Sequence, residues 1–234
     1  AVLRAARLAV VANEFLAVHA RRWCRQVVVV PSVVDTQKFH PPVDAPAGDA
    51  AELIVGWVGS SWTAHYLRPL AGVFNALRAE MPQCRIVVLG ARPEYVAGLP
   101  VEVPPWSLEY EPEAVRRFTV GIMPLPDDDW SRGKAGYKLL LYLASGVPAV
   151  TSPVGVNPEI VHDGAHGFLV ADEEAWLRRL RELLLDPELR RRLGTAGRHH
   201  VQTCYSYQAT APVLISALRS CVHGTDNEKL EQAS

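Results

Sequence analysis

The sequence predicts an α/β fold built on a Rossmann-like, doubly wound parallel sheet. Short apolar runs at residues 53–58, 85–89 and 120–123 alternate with segments of helical periodicity. Strands that alternate with helices in this way are typical of parallel sheets with helices on both faces. A second observation is that residues 121–155 contain strand, loop, helix and strand in that order, which is a complete β-α-β unit.

The first forty residues predict a separate, smaller βα unit. Residues 9–12 favour a strand, Asn13 is a suitable N-cap, and residues 14–22 carry a helical apolar pattern. The β-branched run at residues 27–31 predicts a strand that is buried on both faces. Residues 41–51 are rich in proline and alanine, as linkers are, and we place a domain boundary there.

The elements after this linker follow a regular order. Strands are predicted at residues 53–58, 85–89, 101–103, 120–123, 149–152 and 167–170. Helices are predicted at residues 67–80 and 112–118, along the apolar run that ends before Gly146, after the caps Asp172 and Asp186, and at residues 207–222. The polar tail, residues 223–234, is predicted to be disordered.

The prediction of function depends on residues 130–155. Arg132, Gly133, Lys134 and Gly136 form a basic, glycine-rich loop between a strand and an apolar helix. The free N–H groups and the dipole of such a helix start attract anions, and glycine lets a ligand approach the backbone. The alternative is an ordinary βα loop whose glycines only relieve strain; the two cations favour a phosphate.

The other loops predicted at the same edge of the sheet have a similar character. Ligands of doubly wound sheets bind outside the carboxyl ends of the strands. The segments expected there are residues 59–63, 90–92, 126–136 and 153–157, together with Trp106. They contain glycines, hydroxyl groups and cations, so we expect them to form one rim.

Composition excludes several classes of protein. The 24 Lys and Arg nearly cancel the 25 Asp and Glu among 234 residues, whereas a nucleic-acid-binding protein usually has a basic excess. No apolar run has the length of a membrane-spanning helix. The four cysteines are scattered without a Cys-x-x-Cys pair, which indicates reduced thiols in a cytoplasmic protein rather than a zinc site or a disulfide framework.

Three blocks of sequence resemble a known family. These are GWVGSSWTAHYL from residue 56, VGIMPLPDDDWSRGKAGYKLLLYLASGVPAVTSPVGVNPEIVHDGAHGFLV from residue 120 and DPELRRRLGTAGRHHV from residue 186. The arrangement resembles the family-4 glycosyltransferases of the GT-B fold, and in particular their nucleotide-sugar-binding C-terminal half. The likeness runs from about residue 9 to residue 218.

The resemblance implies a domain organisation. Residues 1–40 would be the last βα unit of the N-terminal acceptor domain, most of which would be missing. Residues 41–206 would be the nucleotide-sugar-binding domain, residues 207–222 the helix that crosses back, and residues 223–234 the tail.

The resemblance also implies an activity. A hexosyl group would pass with retention from a nucleotide diphosphate sugar to a glycan or lipid-linked acceptor, without a metal or another cofactor. The enzyme would be cytoplasmic, with peripheral contact at the inner membrane face through the missing N-terminal domain.

The resemblance assigns roles to particular residues. Arg132 and Lys134 would be catalytic, because they would hold the phosphates of the leaving diphosphate as its negative charge grows. Trp106 lies where the family packs the donor base, although it could instead plug a surface groove. The implied donor-binding residues are Gly59, Ser60, Ser61, Thr63, Trp106, Gly133, Ala135, Gly136, Tyr137, Lys138 and Leu141.

The sequence departs from the family at three places. Most members carry two glutamates with seven residues between them, and those positions align with Gly133 and Leu141. The second glutamate normally bonds the ribose, which Leu141 cannot do. The loop at residues 59–67 lacks the Arg and Lys of many relatives; Lys138 could compensate for them, or it could be a helix-surface lysine whose stem is packed.

Several polar clusters leave alternatives open. Asp127, Asp128 and Asp129 could hold a divalent cation or form a solvated turn. His162, Asp163 and His166 could form a metal site, although Asp163 and Gly164 favour a turn. In addition, His65 could reach the donor or lie on a helix surface, and Glu159 could bond a sugar hydroxyl or cap a helix. The arginines at positions 190, 191, 192 and 198 could touch anionic lipid or form a solvated helix face.

Two functions compete with glycosyl transfer. A catalytically silent nucleotide-sugar-binding or assembly module would keep the fold without turnover, as Leu141 and the missing N-terminal half suggest. A nucleotide-sugar epimerase of similar architecture is a weaker alternative.

Overall fold

A computed structural model describes residues 2–42 and 52–231. Most of the predicted linker, residues 43–51, lies outside the described residues, as do residues 232–234. The strands are β1 Leu8–Val11, β2 Gln26–Val29, β3 Ile54–Val58, β4 Arg85–Leu89, β5 Val120–Met123, β6 Ala149–Thr151 and β7 Gly167–Leu169. The α-helices are α1 Val2–Ala5, α2 Glu14–Ala20, α3 Ala71–Glu80, α4 Glu111–Arg116, α5 Asp129–Arg132, α6 Tyr137–Ala144, α7 Asn157–Ile160, α8 Glu173–Leu185, α9 Pro187–Cys204 and α10 Tyr207–Glu231. Two 3₁₀ helices cover Ser61–Leu70 and Pro93–Val96.

The main sheet has five parallel strands in the order β4-β3-β5-β6-β7. Helices cover both of its faces, and each face has its own core. Strand β3, next to the central strand β5, serves both cores because its side chains alternate: Val55 and Trp57 belong to one cluster, Ile54 and Val58 to the other. The predicted doubly wound parallel sheet is therefore confirmed.

The helices on the two faces of the sheet bury the apolar residues that the sequence pattern indicates. Helices α3 and α8 pack together on one face of the sheet, where Phe74 and Leu180 are fully buried. Helix α6 lies on the other face, and every residue from Leu139 to Ala144 is buried there. An apolar helix of this kind has no solvent face except at its first turn, so that turn is where α6 can meet a ligand.

The N-terminal unit pairs β1 with β2 in a separate two-stranded parallel sheet. The predicted cap is confirmed, since the Asn13 side chain accepts a hydrogen bond from the N–H of Leu16 at the start of α2. The prediction that β2 is buried on both faces is wrong, because its valines are only half-buried and Gln26 is exposed. Within the described residues β2 has one strand neighbour, so its other edge is not covered by a sheet.

Local backbone chemistry explains where element boundaries differ from prediction. The segment at residues 67–70 belongs to a 3₁₀ helix, and the α-helix begins only at Ala71, after Pro69, which cannot donate a backbone hydrogen bond. Residues 101–103 form only an isolated bridge from Glu102 to Val87. Helix α10 continues to Glu231, so residues 223–231 are helical where a disordered tail was predicted.

The loops at the carboxyl edge of the sheet are tied to one another. The Gly59 N–H donates to the Leu89 carbonyl at 2.9 Å, and the Arg92 N–H donates to Ser61 Oγ at 3.0 Å. The Leu125 N–H donates to Ser152 Oγ at 3.0 Å. Neighbouring strands therefore end in loops that contact each other, as the predicted rim requires. In the described part of the chain, no helix combines the length and apolar character needed to span a membrane.

Candidate functional site

The basic loop lies between α5 and α6. Asp128 caps α5, its Oδ1 accepting from the Ser131 N–H at 2.7 Å, and Gly133 ends that helix. Gly136 precedes α6 with a φ of +67°, a conformation that favours glycine. A Cβ at Gly136 would also lie 2.3 Å from Ile160 Cδ1. This glycine is therefore required by both backbone conformation and packing, and it sets the direction in which α6 starts.

The two predicted catalytic cations have different surroundings. Arg132 forms a two-pronged ion pair with Asp127, with Nε–Oδ1 at 2.7 Å and Nη2–Oδ2 at 3.0 Å, and its side chain is 44% exposed. Arg132 lowers the pKa of Asp127. It borders a cavity of about 290 Å³ between the N-terminal unit and the residues 153–156. Its predicted contact with phosphate thus competes with Asp127.

Lys134 has no carboxylate partner among the described residues. Its Nζ lies 5.3 Å from the ring centre of Tyr66 and 5.5 Å from that of Trp130, which are cation–π distances. Partial burial lowers the pKa of Lys134, while the charge of Asp128 acts in the opposite direction.

Lys138 lies deeper, on the first turn of α6. Its Nζ is 5.1 Å from a Trp57 ring centre, and in the described structure it also lacks an ion-pair partner. Burial lowers the pKa of Lys138 to about 8, and the nearby charge of Lys134 contributes in the same direction. A lysine of this kind is more than a surface residue with a packed stem, because its ammonium group itself is desolvated.

Gly59 makes room for the Lys138 ammonium. A Cβ at Gly59 would lie 2.6 Å from Lys138 Cε and 2.8 Å from its Nζ. The fold therefore brings together the loop after β3 and the start of α6, as predicted. Lys134 and Lys138 repel each other at the N-terminus of α6, and Lys138 lies against Gly59, so an anion bound here would stabilise both cations.

Trp106 has a polar partner that sequence reasoning missed. Its ring is 48% exposed, so it does not fill a groove, and its Nε1–H donates to Glu111 Oε2 at 2.6 Å. Besides burial, the charge of Glu111 raises the pKa of Tyr137, and at Lys138 it opposes the lowering of the pKa that burial causes, so this carboxylate lies near the start of α6. The only signal in the sequence was an acidic residue at the first position of the helix after Trp106.

Some of the remaining predicted donor residues are engaged or buried within the protein, and others lie at the start of α6. The hydroxyls of Ser61 and Thr63 are engaged within the rim, since Thr63 Oγ1 donates to the Ser60 carbonyl at 3.1 Å. Leu141 is only 2% exposed inside the core, so it cannot contact a ribose. Tyr137 is half exposed at the first turn of α6, and Ala135 lies between Lys134 and Gly136 in the loop.

The acidic and histidine clusters have structural contacts. Asp127 pairs with Arg132 and Asp128 caps α5, so this run is a structured turn. His162, His166 and His200 form a cluster with ring-centre distances of 4.5 to 5.0 Å, in which His166 stacks on both other rings. The part of His200 was not predicted from the sequence. No group of three His, Cys, Asp or Glu side chains with a metal-binding arrangement occurs in residues 2–42 and 52–221.

Three polar residues with open alternatives have definite positions. The His65 ring is exposed and contacts the Trp62 carbonyl through Nδ1 at 2.8 Å. Glu159 makes no capping bond at α7, so the predicted cap is wrong; it lies beside the 290 Å³ cavity. Asp163 Oδ1 accepts from the Leu169 N–H at 2.9 Å, as expected of a turn.

Two of the four predicted surface arginines hold helix ends instead. Arg190 donates to the carbonyls of Leu183 and Leu184 at the end of α8. Arg198 donates to the carbonyls of Phe39 and Ala144. For these two, both the lipid and the solvated-face predictions are wrong, because the guanidinium groups are hydrogen-bonded to backbone carbonyls, including those at the ends of α8 and α6. Arg191 is solvated and pairs with Glu188.

Fold and site together give a doubly wound α/β sheet with a cationic, glycine-containing rim, and comparison with known proteins identifies the family. The model of the family described as glycosyl transferases group 1 matches residues 52–186, which is more than half of the chain. The chain therefore belongs to the group 1 glycosyltransferases.

Curated relatives are similar over shorter stretches. The D-inositol 3-phosphate glycosyltransferase of Streptomyces avermitilis is 32% identical over 123 residues, covering 50% of this chain and 25% of the relative. Spore coat protein SA of Bacillus subtilis is 34% identical over 77 residues, covering 32% and 20%. The chain thus matches about a fifth to a quarter of the length of these relatives.

Solved structures confirm the expected GT-B glycosyltransferase fold. Sucrose-phosphate synthase from Thermosynechococcus elongatus is 25% identical with a TM-score of 0.69, and the match covers 100% of this chain and 60% of the synthase. Anabaena Alr3699/HepE, solved with UDP and glucose, is 15% identical with a TM-score of 0.72, covering 92% and 63%.

Proposed function

We propose that this chain is the donor-binding half of a glycosyltransferase that moves a hexosyl group from a nucleotide diphosphate sugar to a glycan or lipid-linked acceptor. The observation that carries the proposal is the pair of cations Lys134 and Lys138 at the start of α6, with the Lys138 ammonium group beside Gly59. Both ammonium groups are partly desolvated, and burial lowers the pKa of each. Such a pair is costly in the empty protein and becomes favourable when a diphosphate lies between the cations.

The same arrangement suits the chemistry of the transfer step. Negative charge grows on the diphosphate as the bond to the sugar breaks, and fixed positive charge stabilises it. Lys134, Lys138 and the free N–H groups at the start of α6 supply that charge. These groups support a transfer in which the protein, rather than a divalent cation, stabilises the leaving diphosphate. We propose in addition that the configuration at the sugar carbon is retained.

Trp106 and Glu111 give the nucleoside a place beside the cations. The half-exposed Trp106 ring offers a face on which a base can stack. Glu111 keeps that ring in position through its Oε2, and its Oε1 has no hydrogen-bond partner within the described structure. We propose that Oε1 accepts from the ribose hydroxyls, a contact that the buried Leu141 cannot make.

Location and acceptor are part of the same proposal. Charged nucleotide donors and four unpaired cysteines suit a cytoplasmic enzyme. A lipid-linked acceptor would bring it to the inner membrane face, through acceptor-binding parts beyond this chain.

Titration calorimetry with UDP, GDP and ADP tests the proposal. UDP is the first probe because a structural relative was solved with it. Replacing Lys138→Met should weaken the tightest of the three at least tenfold, since a hydrogen-bonded charge contributes roughly 1.5–3 kcal/mol. The matched control is Arg191→Gln, which removes one exposed cation far from the rim and should leave binding unchanged. Failure of all three nucleotides to bind at millimolar concentration would overturn the proposal.

One observation favours the silent-module alternative. Arg132, expected to assist the departing diphosphate, is paired with Asp127. A module of this kind would bind the nucleotide yet show neither sugar transfer nor donor hydrolysis. Release of free sugar from UDP-glucose or GDP-mannose, followed by chromatography, would exclude it.

A further inference from the structure

Asn13 belongs to the N-terminal unit and yet is hydrogen-bonded to the basic loop. The side chain is buried, at 3% exposure. Its Nδ2 donates to the Arg132 carbonyl at 3.2 Å and to the Lys134 carbonyl at 3.0 Å. Its Oδ1 accepts from the Leu16 N–H at 2.9 Å. One amide group therefore caps α2 and also binds a loop 119 to 121 residues further along the chain.

Only one orientation of this amide satisfies its surroundings. Two carbonyl oxygens face one end of the side chain, and a backbone N–H faces the other. Turning the amide over would place its oxygen against both carbonyls and its NH₂ group against the N–H of Leu16. The two inter-unit bonds therefore require an amide, whereas the cap alone would be satisfied by serine or aspartate.

The bonded segment contains one of the two glycines of the loop. The two carbonyls flank Gly133, which ends α5, and Gly136 starts α6 three residues later. A Cβ at Gly133 would be 3.4 Å from Leu16 Cδ2, so α2 also packs against this point. The contact with the N-terminal unit thus fixes the backbone that carries Lys134.

We propose that Asn13 is a positioning residue for the diphosphate site, and that it couples nucleotide binding to the docking of the N-terminal unit. The inference rests on the proposed function, because it takes Lys134 as a phosphate ligand. The coupling free energy between two events is reciprocal. A nucleotide that orders the Lys134 loop must therefore also strengthen the contact between Asn13 and that loop.

Two substitutions separate the cap from the inter-unit bonds. Asn13→Ser and Asn13→Asp both keep an oxygen that can cap α2, and both lose the NH₂ donor. We expect about tenfold weaker binding of whichever of UDP, GDP and ADP binds tightest, equal to about 1.4 kcal/mol. Asn13→Asp should be the more severe, because its carboxylate faces two carbonyls.

The matched control is a cap that does not touch the loop. Asp186 caps α9 through a 2.9 Å bond from the Leu189 N–H. Asp186→Ala should lower the melting temperature while leaving nucleotide affinity unchanged. Unchanged affinity in Asn13→Ser, or equal losses in Asn13→Ser and Asp186→Ala, would overturn the inference.

Amide hydrogen exchange distinguishes this coupling from a purely structural role of Asn13. In the wild-type chain, saturating nucleotide should slow amide exchange across residues 8–20, and Asn13→Ser should abolish this protection at saturation. Because the wild-type measurement needs no variant, it decides the question even where Asn13→Ser does not fold. Nucleotide binding without any protection of residues 8–20 would refute the coupling. No binding of UDP, GDP or ADP would instead refute the donor site itself.

Discussion

Nucleotide binding should weaken as the pH rises through about 8. Burial, assisted by the charge of Lys134, lowers the pKa of Lys138 from 10.5 to about 8. Only the protonated ammonium attracts a diphosphate. Affinity is therefore at full strength below pH 8, and it declines above that value as the empty protein loses the Lys138 proton.

The magnitude follows from the same pKa. A bound diphosphate favours the charged amine and moves the pKa of Lys138 back towards 10.5. Affinity then falls about tenfold for each pH unit above 8, and the ceiling is roughly 300-fold for a complete return. The partly buried Lys134, whose pKa is also lowered, acts in the same direction.

Stability should change with the opposite sign. In the unfolded chain, Lys138 has its ordinary pKa of 10.5, so between pH 8 and 10.5 the unfolded state binds more protons than the folded state. Folding stability attributable to this residue therefore rises with pH across that window. Nucleotide affinity that falls with rising pH while folding stability rises is the behaviour expected of a desolvated cation that binds an anion.

Calorimetry of nucleotide binding from pH 6.5 to 9.5 at constant ionic strength, with thermal melts at each pH, measures both trends. The control is Lys138→Arg, whose guanidinium stays charged throughout, so its pH dependence should be clearly shallower. An affinity that is flat to pH 9.5, or a decline equally steep in Lys138→Arg, would refute the reasoning.

Two further predictions concern other parts of the molecule. Glu111→Gln should reduce the preference for UDP over 2′-deoxy-UDP from about tenfold to a few-fold, because a neutral acceptor bonds a hydroxyl less strongly than a carboxylate; an unchanged ratio would remove Glu111 from the ribose site. Burial and neighbouring histidines lower the pKa of His166 and His200, so the unfolded state binds more protons and stability should fall as the pH drops below about 6.5. The melting temperature of His200→Leu should fall less steeply with decreasing pH than that of the wild type. An equally steep fall would contradict this account.

Much of the fold follows from local sequence. Asn13, Asp172 and Asp186 were predicted as helix starts, and each accepts a backbone N–H at its cap. These predictions succeed because a cap depends on residues within one turn. The burial of β2 could not be predicted, because a β-branched run indicates a strand but not how many neighbours that strand has.

The site was predicted in part, for a related reason. The glycine-rich basic loop and Gly59 were found because they lie at the ends of predictable strands. The pairing of Trp106 with Glu111 depends on the path of the intervening loop, which has no periodic pattern. The pairing of Arg132 with Asp127 depends on a tight turn through three adjacent acids, and the contact of Asn13 with the loop joins residues more than a hundred positions apart.

The bond from the Gly59 N–H to the Leu89 carbonyl affects which wall of the site can respond to a bound ligand. Gly59 directly follows strand β3, which is paired with β4 on one side and β5 on the other, so this wall of the cleft is anchored to the sheet. The opposite wall is the loop at residues 133–136, which Asn13 ties to the N-terminal unit. We therefore expect a bound ligand to shift the loop at residues 133–136 more than Gly59.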